Sequence, residues 1–349
     1  MVHVGLVGYG LGGKVFHAPL IHLAPELNLL AVCSRTEEKR AQAKADFEGI
    51  ETFDNYEAVL NDTRINLVVL ATPHDTHAPM AIQAMDAGKH LVTDKIMCLN
   101  ESEGRAMIQA AERNQVLLSV FQNRRWDGDF LTLKRILDDG TLGEIYTIES
   151  NITASGGPHR GWRAWKAHGG GRTIDWGAHL VDQALQLFGP TVELVFADYQ
   201  YRYSKAESDV ESSSLIHLVF ENGVRFMIEL GSIWMFPKPR YHVRAEKGSF
   251  RKYGVDPQEA AMKLGTNGVA IPEDPARYQM RIAGEGKGHR DVPVQPVAGC
   301  YRTYYDNIGA VLTDGEDLLV KPAECLEALR VIDAIVASSE TGEVVRLNR

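Results

Sequence analysis

The chain opens with a run that leaves little freedom of fold: an apolar stretch, Val2–Val7, meets Gly8-Tyr9-Gly10-Leu11-Gly12-Gly13 directly. The glycines at 8, 10 and 13 have the spacing G-x-G-x-x-G. Gly8 allows a tight turn and Gly10 lets the backbone come close to a pyrophosphate. Gly13 lets the following helix pack on the strand, so that its first amides face the phosphates. Glycine-rich turns are common and the spacing alone is weak. At the head of a strand–turn–helix unit it specifies a dinucleotide site.

The rest of the first third repeats that alternation. Apolar runs at Leu27–Val32, Ile65–Ala71, His90–Val92 and Val116–Phe121 are expected to be strands. Helical patterns at Glu37–Phe47, His77–Ala87 and Glu101–Arg113 lie between them. Nearly all-apolar strands separated by helices imply a parallel sheet covered on both faces, here an α/β Rossmann domain over residues 1–122. After Arg125 the rhythm changes. A helix over Phe130–Leu137 ends near Gly140, and strands with polar alternation follow at Glu144–Ile152, Glu193–Tyr203, Leu215–Phe220, Arg225–Leu230 and Tyr241–Ala245. Asn222-Gly223 between two of these is a hairpin signal. Residues 123–349 are therefore expected to form an α+β C-terminal domain with a large, mostly antiparallel open sheet. Two domains suit a chain of 349 residues.

Charge narrows the partners. With a net charge of -9 and no Lys/Arg block, nucleic acid and anionic membrane surfaces are excluded as ligands. No apolar stretch is long enough to cross a bilayer, and the first residues read as a buried strand, not a signal peptide. Cys33, Cys98, Cys300 and Cys325 are scattered without zinc-ligand spacing. Reduced, buried thiols in the cytoplasm and no metal site are the expectation.

The end of the second strand reports on the dinucleotide. An acidic residue there would bind the ribose 2′-hydroxyl and select NAD. The sequence reads Val32-Cys33-Ser34-Arg35-Thr36 instead. Arg35 can pair with a 2′-phosphate, with Ser34 or Thr36 donating to its oxygens, which favours NADP over NAD. The alternative is that Ser34 or Thr36 caps the next helix while Arg35 points to solvent.

A second constellation lies at Gly169-Gly170-Gly171-Arg172-Thr173-Ile174-Asp175-Trp176-Gly177-Ala178-His179-Leu180-Val181-Asp182. The glycines break the chain and a helix follows, stopping at Gly189-Pro190. Asp175, His179, Asp182, Gln183 and Gln186 share one face, while Leu180, Val181, Ala184, Leu185 and Phe188 form the core face. An Asp one turn before a His can hold an imidazole beside a substrate hydroxyl, and imidazole suits proton removal near neutral pH. The competing reading is a solvated amphipathic helix with an incidental i,i+4 contact. Just upstream, the segment from Gly156 to His168 carries Trp162 and Arg163, suited to packing on ring C–H groups and to binding vicinal hydroxyls. A surface loop anchored by its tryptophans is the plainer reading. Tyr301, Tyr304 and Tyr305 sit at helical spacing and are at least as readily packing residues.

The motifs Gly8–Gly13, Ala71-Thr72-Pro73 with His77, Gly88-Lys89-His90, Asp94-Lys95 and Gly169–Asp182, in that order over essentially the whole chain, resemble the glucose–fructose oxidoreductase / inositol dehydrogenase / MocA (Gfo/Idh/MocA) family. Phe16-His17-Ala18-Pro19-Leu20, Asn123-Arg124-Arg125-Trp126 and Phe250-Arg251-Lys252-Tyr253-Gly254 look most like its NADP-dependent scyllo-inositol dehydrogenase branch. The resemblance implies that Lys95 stands near the nicotinamide and polarises the reacting oxygen. It implies His179 as general acid/base and Asp175 as the residue that orients substrate. Gly8, Gly10, Leu11, Gly13, Ser34, Arg35, Thr72, Pro73, His77 and Lys95 would hold the cofactor. Asn123, Arg124, Trp162, Arg163, Asp175 and His179 would hold a polyol or sugar. It also implies a homodimer or homotetramer formed through the open sheet face.

One motif departs from the family. Its Glu-Lys-Pro reads Asp94-Lys95-Ile96 here. A Lys–Pro bond becomes cis far more readily than a Lys–Ile bond, so the direction in which Lys95 projects stays open. The expected activity is hydride transfer between nicotinamide and a carbinol carbon of an inositol-like polyol or sugar. The alternatives are a catalytically silent dinucleotide sensor, favoured by the altered motif, and a dehydrogenase of a keto- or amino-sugar. Retention of Lys95, Asp175 and His179 together favours chemistry.

Overall fold

A computed structural model describes residues 1–284, 286 and 288–347. The chain divides into two compact units. The first comprises Met1–Asn123, Gln258–Ala270 and Cys300–Leu326, and the second Arg124–Pro257, Ile271–Gly299 and Glu327–Arg349.

In the first unit, among the described residues, six strands form one parallel sheet. They are β1 (Val2–Val7), β2 (Leu27–Cys33), β3 (Glu51–Phe53), β4 (Leu67–Leu70), β5 (His90–Thr93) and β6 (Leu118–Val120), in the order β3-β2-β1-β4-β5-β6. β4 is buried at every position, as helices on both faces require. Those helices are α1 (Ala18–Leu23), α2 (Glu37–Asp46), α3 (Tyr56–Asn61), α4 (His77–Asp86) and α5 (Glu101–Asn114). Asn100 caps α5 by accepting the Glu103 N–H at 3.0 Å, and the left-handed Gln115 ends it. The parallel Rossmann sheet expected from the apolar runs is present. β3 and α3 were not foreseen, because three half-buried residues and one short turn carry no clear period.

The second unit contains α6 (Gly128–Asp138), α7 (Ala178–Phe188) and a nine-stranded sheet among the described residues. Its strands are β7 (Ile145–Thr153), β8 (Val192–Gln200), β9 (Ser213–Phe220), β10 (Arg225–Gly231), β11 (Tyr241–Ala245), β12 (Gly248–Lys252), β13 (Tyr278–Ala283), β14 (His289–Val292) and β15 (Val345–Arg346). The order is β14-β13-β12-β11-β7-β10-β9-β8-β15, antiparallel throughout except where β7 meets β10. The Asn222-Gly223 hairpin joins β9 to β10, with Phe220 donating to the Val224 carbonyl at 2.9 Å.

The boundary differs from the expected 1–122 and 123–349. The helices α8 (Gln258–Lys263) and α9 (Arg302–Asp314) pack in the first unit, α9 against α1 and β1 and α8 against the turn before α1. The switch back to the second unit falls inside α10 (Pro322–Thr341). Buried apolar faces, not chain order, decide this membership: Tyr304, Tyr305 and Ile308 of α9 are all but inaccessible.

Candidate functional site

The head of β1 is built as the glycine spacing requires. Gly8 has φ +101°, and a Cβ there would lie 2.3 Å from the Ala71 carbonyl oxygen. A Cβ on Gly13 would lie 2.0 Å from the Gly8 carbonyl oxygen. Both positions are closed by backbone. Gly10 is different, since its hypothetical Cβ meets only Lys39 Nζ, at 3.9 Å. Backbone amides, an open space beside Gly10 and the exposed side chain of Leu11 make a cradle that fits a dinucleotide pyrophosphate. The helix behind it winds with a wide i→i+5 turn over Gly12–His17 before continuing as α1.

At the end of β2, Arg35 is exposed and Ser34 half-buried. Arg40 holds this turn by donating to the carbonyls of Ser34 at 2.7 Å and Arg35 at 3.1 Å. Thr36 occupies the helix cap without a side-chain capping bond, and Ser34 Oγ accepts the Thr36 N–H at 3.4 Å. Lys39 is the cation that the sequence reading missed. Its only signal was its place in the first turn of α2, four residues after Arg35.

Past β4, Thr76 Oγ1 donates to Thr72 Oγ1 at 2.7 Å and ties down the Thr72-Pro73 turn. His77 lies behind that turn, wholly buried. Its Nδ1 stands 2.8 Å from the Ile96 carbonyl oxygen and its Nε2 3.1 Å from that of Thr72. Burial lowers its pKa, so the neutral ring donates to one carbonyl at a time. Backbone carbonyls thus face both of its nitrogens, and it braces Thr72 against the Lys95 loop. Lys95 follows β5, half-buried, with its N–H donating to Asp94 Oδ1 at 2.8 Å and its peptide bond to Ile96 cis.

In the second unit, Thr173–Gly177 forms another wide turn leading into α7. Asp175 Oδ2 is 3.7 Å from Arg163 Nε, and the Arg163 guanidinium lies 4.3 Å from the Trp162 ring centre. Arg124 stacks 3.9 Å over Trp176, whose edge meets His179. Arg124, Trp162, Arg163, Asp175 and His179 therefore stand in one unit with α7. Asn123 is buried as the last residue of the other.

The solvated-helix alternative for α7 is overturned. His179, Asp182 and Gln183 of its polar face are buried, with Asp182 taking two bonds from Arg125 at 2.9 and 2.6 Å. Gln183 donates to the Arg124 carbonyl and accepts from Arg240 and Tyr241. These groups hold the helix in place instead of meeting water. Sequence reasoning also missed Glu211. It is buried at the head of the wide turn and accepts the Thr173 N–H at 2.6 Å.

Residues 2–122 match the oxidoreductase family with an NAD-binding Rossmann fold, and residues 130–251 match the GFO/IDH/MocA C-terminal domain. The chain is 34% identical to the scyllo-inositol 2-dehydrogenase (NADP(+)) IolW of Bacillus subtilis, over 99% of this chain and 96% of that protein. An oxidoreductase structure, yvaA of Bacillus subtilis, superimposes with TM-score 0.91 at 31% identity, covering 99% of this chain and 98% of its own. One from Yersinia pestis gives TM-score 0.89 at 33% identity, covering 100% and 97%. Fold and site thus define an NAD(P)-dependent dehydrogenase acting on CH–OH groups. The chain belongs to the Gfo/Idh/MocA oxidoreductase family. Among the described residues no helix is long and apolar enough to cross a membrane.

Proposed function

We propose that this protein interconverts a carbinol and a carbonyl on a cyclic polyol or sugar of inositol type, using NADP in preference to NAD. The observation that carries the reading is the head of α7. There His179 and Asp175 stand one turn apart among the guanidinium of Arg163 and the rings of Trp162 and Trp176. Such a surface offers ring faces for C–H groups and fork donors for neighbouring hydroxyls. Gly8, Gly10, Leu11 and Gly13 would hold the dinucleotide, with Ser34, Arg35 and Lys39 toward its phosphates and Thr72, Pro73 and Lys95 at the far end. Bound nicotinamide supplies hydride chemistry at C4. In oxidation His179 would accept the hydroxyl proton, and the ammonium of Lys95, at the nicotinamide end of the dinucleotide cradle, would stabilise developing negative charge. Asp175 keeps the imidazole and the hydroxyl in register.

The name of the relative IolW supports the inositol class and the NADP preference. The free state of Cys33, Cys98, Cys300 and Cys325 supports work in the cytoplasm, where we propose a homodimer or homotetramer. The test is initial-rate reduction of NADP⁺ and NAD⁺ against scyllo- and myo-inositol, aldoses and glycosides, with His179→Ala alongside. Turnover with one polyol class, lost by a factor of about 10² or more in His179→Ala while NADPH still binds, is the expected result. Unchanged turnover in that variant sinks the catalytic assignment. Tight NADPH binding without turnover on any substrate would favour the silent sensor.

A further inference from the structure

Behind Lys95 lies a buried polar chain that the proposed chemistry does not yet use. His17 closes the wide turn after the glycine cradle and is fully buried. Its Nδ1 is 2.6 Å from the Tyr305 hydroxyl, and its Nε2 is 3.6 Å from Asp94 Oδ1, just beyond hydrogen-bond reach. Asp94 Oδ1 in turn accepts the Lys95 backbone N–H at 2.8 Å. Phe121 walls the imidazole, its ring centre 4.5 Å away. The other carboxylate oxygen, Asp94 Oδ2, would be 3.1 Å from a Cβ on Gly12. One imidazole therefore stands between α9 and the carboxylate that holds the Lys95 loop, and that carboxylate lies against the cofactor turn.

The direction of the hydrogens follows from acidity. Burial holds the Tyr305 hydroxyl well above its ordinary range, so it stays protonated. With that hydroxyl donating to Nδ1, the ring's hydrogen sits on Nε2, aimed at Asp94. Burial works to raise the Asp94 carboxyl, but the His17 imidazole facing it and the Lys95 ammonium outweigh it and hold the group below its usual range. Asp94 is thus an anion with an N–H donor facing it. Lys95, His77, Asp94 and Tyr305 are the titratable groups around this ring.

We propose that Tyr305 and His17 are positioning residues for Lys95: the phenol sets the tautomer of His17, and His17 holds Asp94 and the Lys95 loop against the cofactor turn. This rests on the catalytic reading of Lys95. It also gives α9, remote in the chain and packed in the first unit, a reason to carry Tyr305. Tyr304 serves a different purpose, donating to Ser119 Oγ, which bonds the Val320 carbonyl.

The test compares Tyr305→Phe, His17→Gln and His17→Leu with wild type, using scyllo-inositol and NADP⁺, or whichever polyol the panel identifies. His17→Gln retains an N–H able to reach Asp94, whereas His17→Leu keeps bulk alone. Expected is a kcat loss of about 10–100-fold in Tyr305→Phe and His17→Leu, partly restored in His17→Gln, with NADPH Kd and KM within about threefold of wild type. Nitrogen NMR of the apo protein supplies a readout independent of turnover. It should show the Nε2–H tautomer of His17 in wild type and its loss or mixture in Tyr305→Phe. Equal kcat in all variants, or Gln no better than Leu, overturns the inference, as does an unchanged tautomer in Tyr305→Phe. Lys95→Ala separates the two layers. If it is inactive while Tyr305→Phe is unimpaired, the positioning inference alone falls. Full activity in Lys95→Ala removes the catalytic reading and this inference with it.

Discussion

The two units start their functional helices in the same way and finish them differently. In each, a glycine cluster breaks the chain, a wide turn follows (Gly12–His17 or Thr173–Gly177), and the α-helix continues from it. Both turns present backbone amides and the positive end of a helix dipole, which favour an anion. In the second unit the protein supplies an acceptor of its own. The Glu211 carboxylate accepts the Thr173 N–H, and its Oε2 would lie 2.6 Å from a Cβ on Gly171. In the first unit the place beside Gly10 is left open to everything but the tip of Lys39. The difference teaches how to tell a binding terminus from a structural one: by whether the fold has already supplied the acceptor that the amides attract.

The largest effect is expected where the cradle is closed by backbone. Gly13→Ala drives a methyl to 2.0 Å from the Gly8 carbonyl oxygen, and overpacking against backbone costs about 1–3 kcal/mol or more. That variant should lose thermal stability and dinucleotide binding together. Gly10→Ala should keep its stability within about 0.5 kcal/mol, since nothing of the protein is displaced. Its NADPH Kd should still rise by about tenfold or more, roughly 1.4 kcal/mol. Calorimetry with fluorescence titration reads both quantities. NADPH binding that survives Gly10→Ala would break the contrast between the open terminus and the filled one.

Glu211 carries the other half of the comparison. Burial raises its carboxyl pKa, and bonds from Thr173 only partly counter that. The sign follows from proton counts. With the folded pKa above the unfolded one, the folded state binds more protons through the window between them, so stability falls as pH rises across it. Glu211→Gln keeps an acceptor for Thr173 and removes the titration. Its melting temperature relative to wild type should therefore rise as pH climbs upward from the ordinary glutamate range. A difference that stays flat with pH would mean that Glu211 titrates normally.

The sequence made one of these termini legible and left the other half hidden. Gly8, Gly10 and Gly13 declare themselves because the motif is local and each glycine answers a backbone need within a few residues. Asp175 and His179 were readable from helical spacing, but the burial of Asp182 and Gln183 was not, because their partners Arg125 and Arg240 come from distant segments. Glu211 stands thirty-eight residues beyond Thr173, and no period links the two. β12, β13 and β14, at one end of the sheet, hold few apolar residues and gave little signal. The assignment of α9 to the first unit escaped for the same reason. Tyr304 and Tyr305 show helical spacing, and only long-range packing shows which core they enter.

The smallest expected effect sharpens the open terminus by dividing its cations. Arg35 is exposed at the end of β2, beyond the cradle, whereas Lys39 reaches back to within 3.9 Å of the Cβ position on Gly10. Arg35 should therefore serve the 2′-phosphate and Lys39 the pyrophosphate common to both cofactors. A charge-assisted bond at an exposed site is worth about 1.4 kcal/mol, a factor near ten, and less as salt screens it. Arg35→Ala should raise the Kd of NADPH about tenfold and that of NADH less than about twofold, with the gap narrowing between 0.01 and 1 M salt as the Debye length falls from about 30 to about 3 Å. Lys39→Ala should weaken both cofactors by similar factors. If Arg35→Ala weakens NADH as much as NADPH, the 2′-phosphate assignment fails. If Lys39→Ala affects NADPH alone, the two cations exchange roles, and the filled and open termini differ by where the phosphate lies as well as by who supplies it.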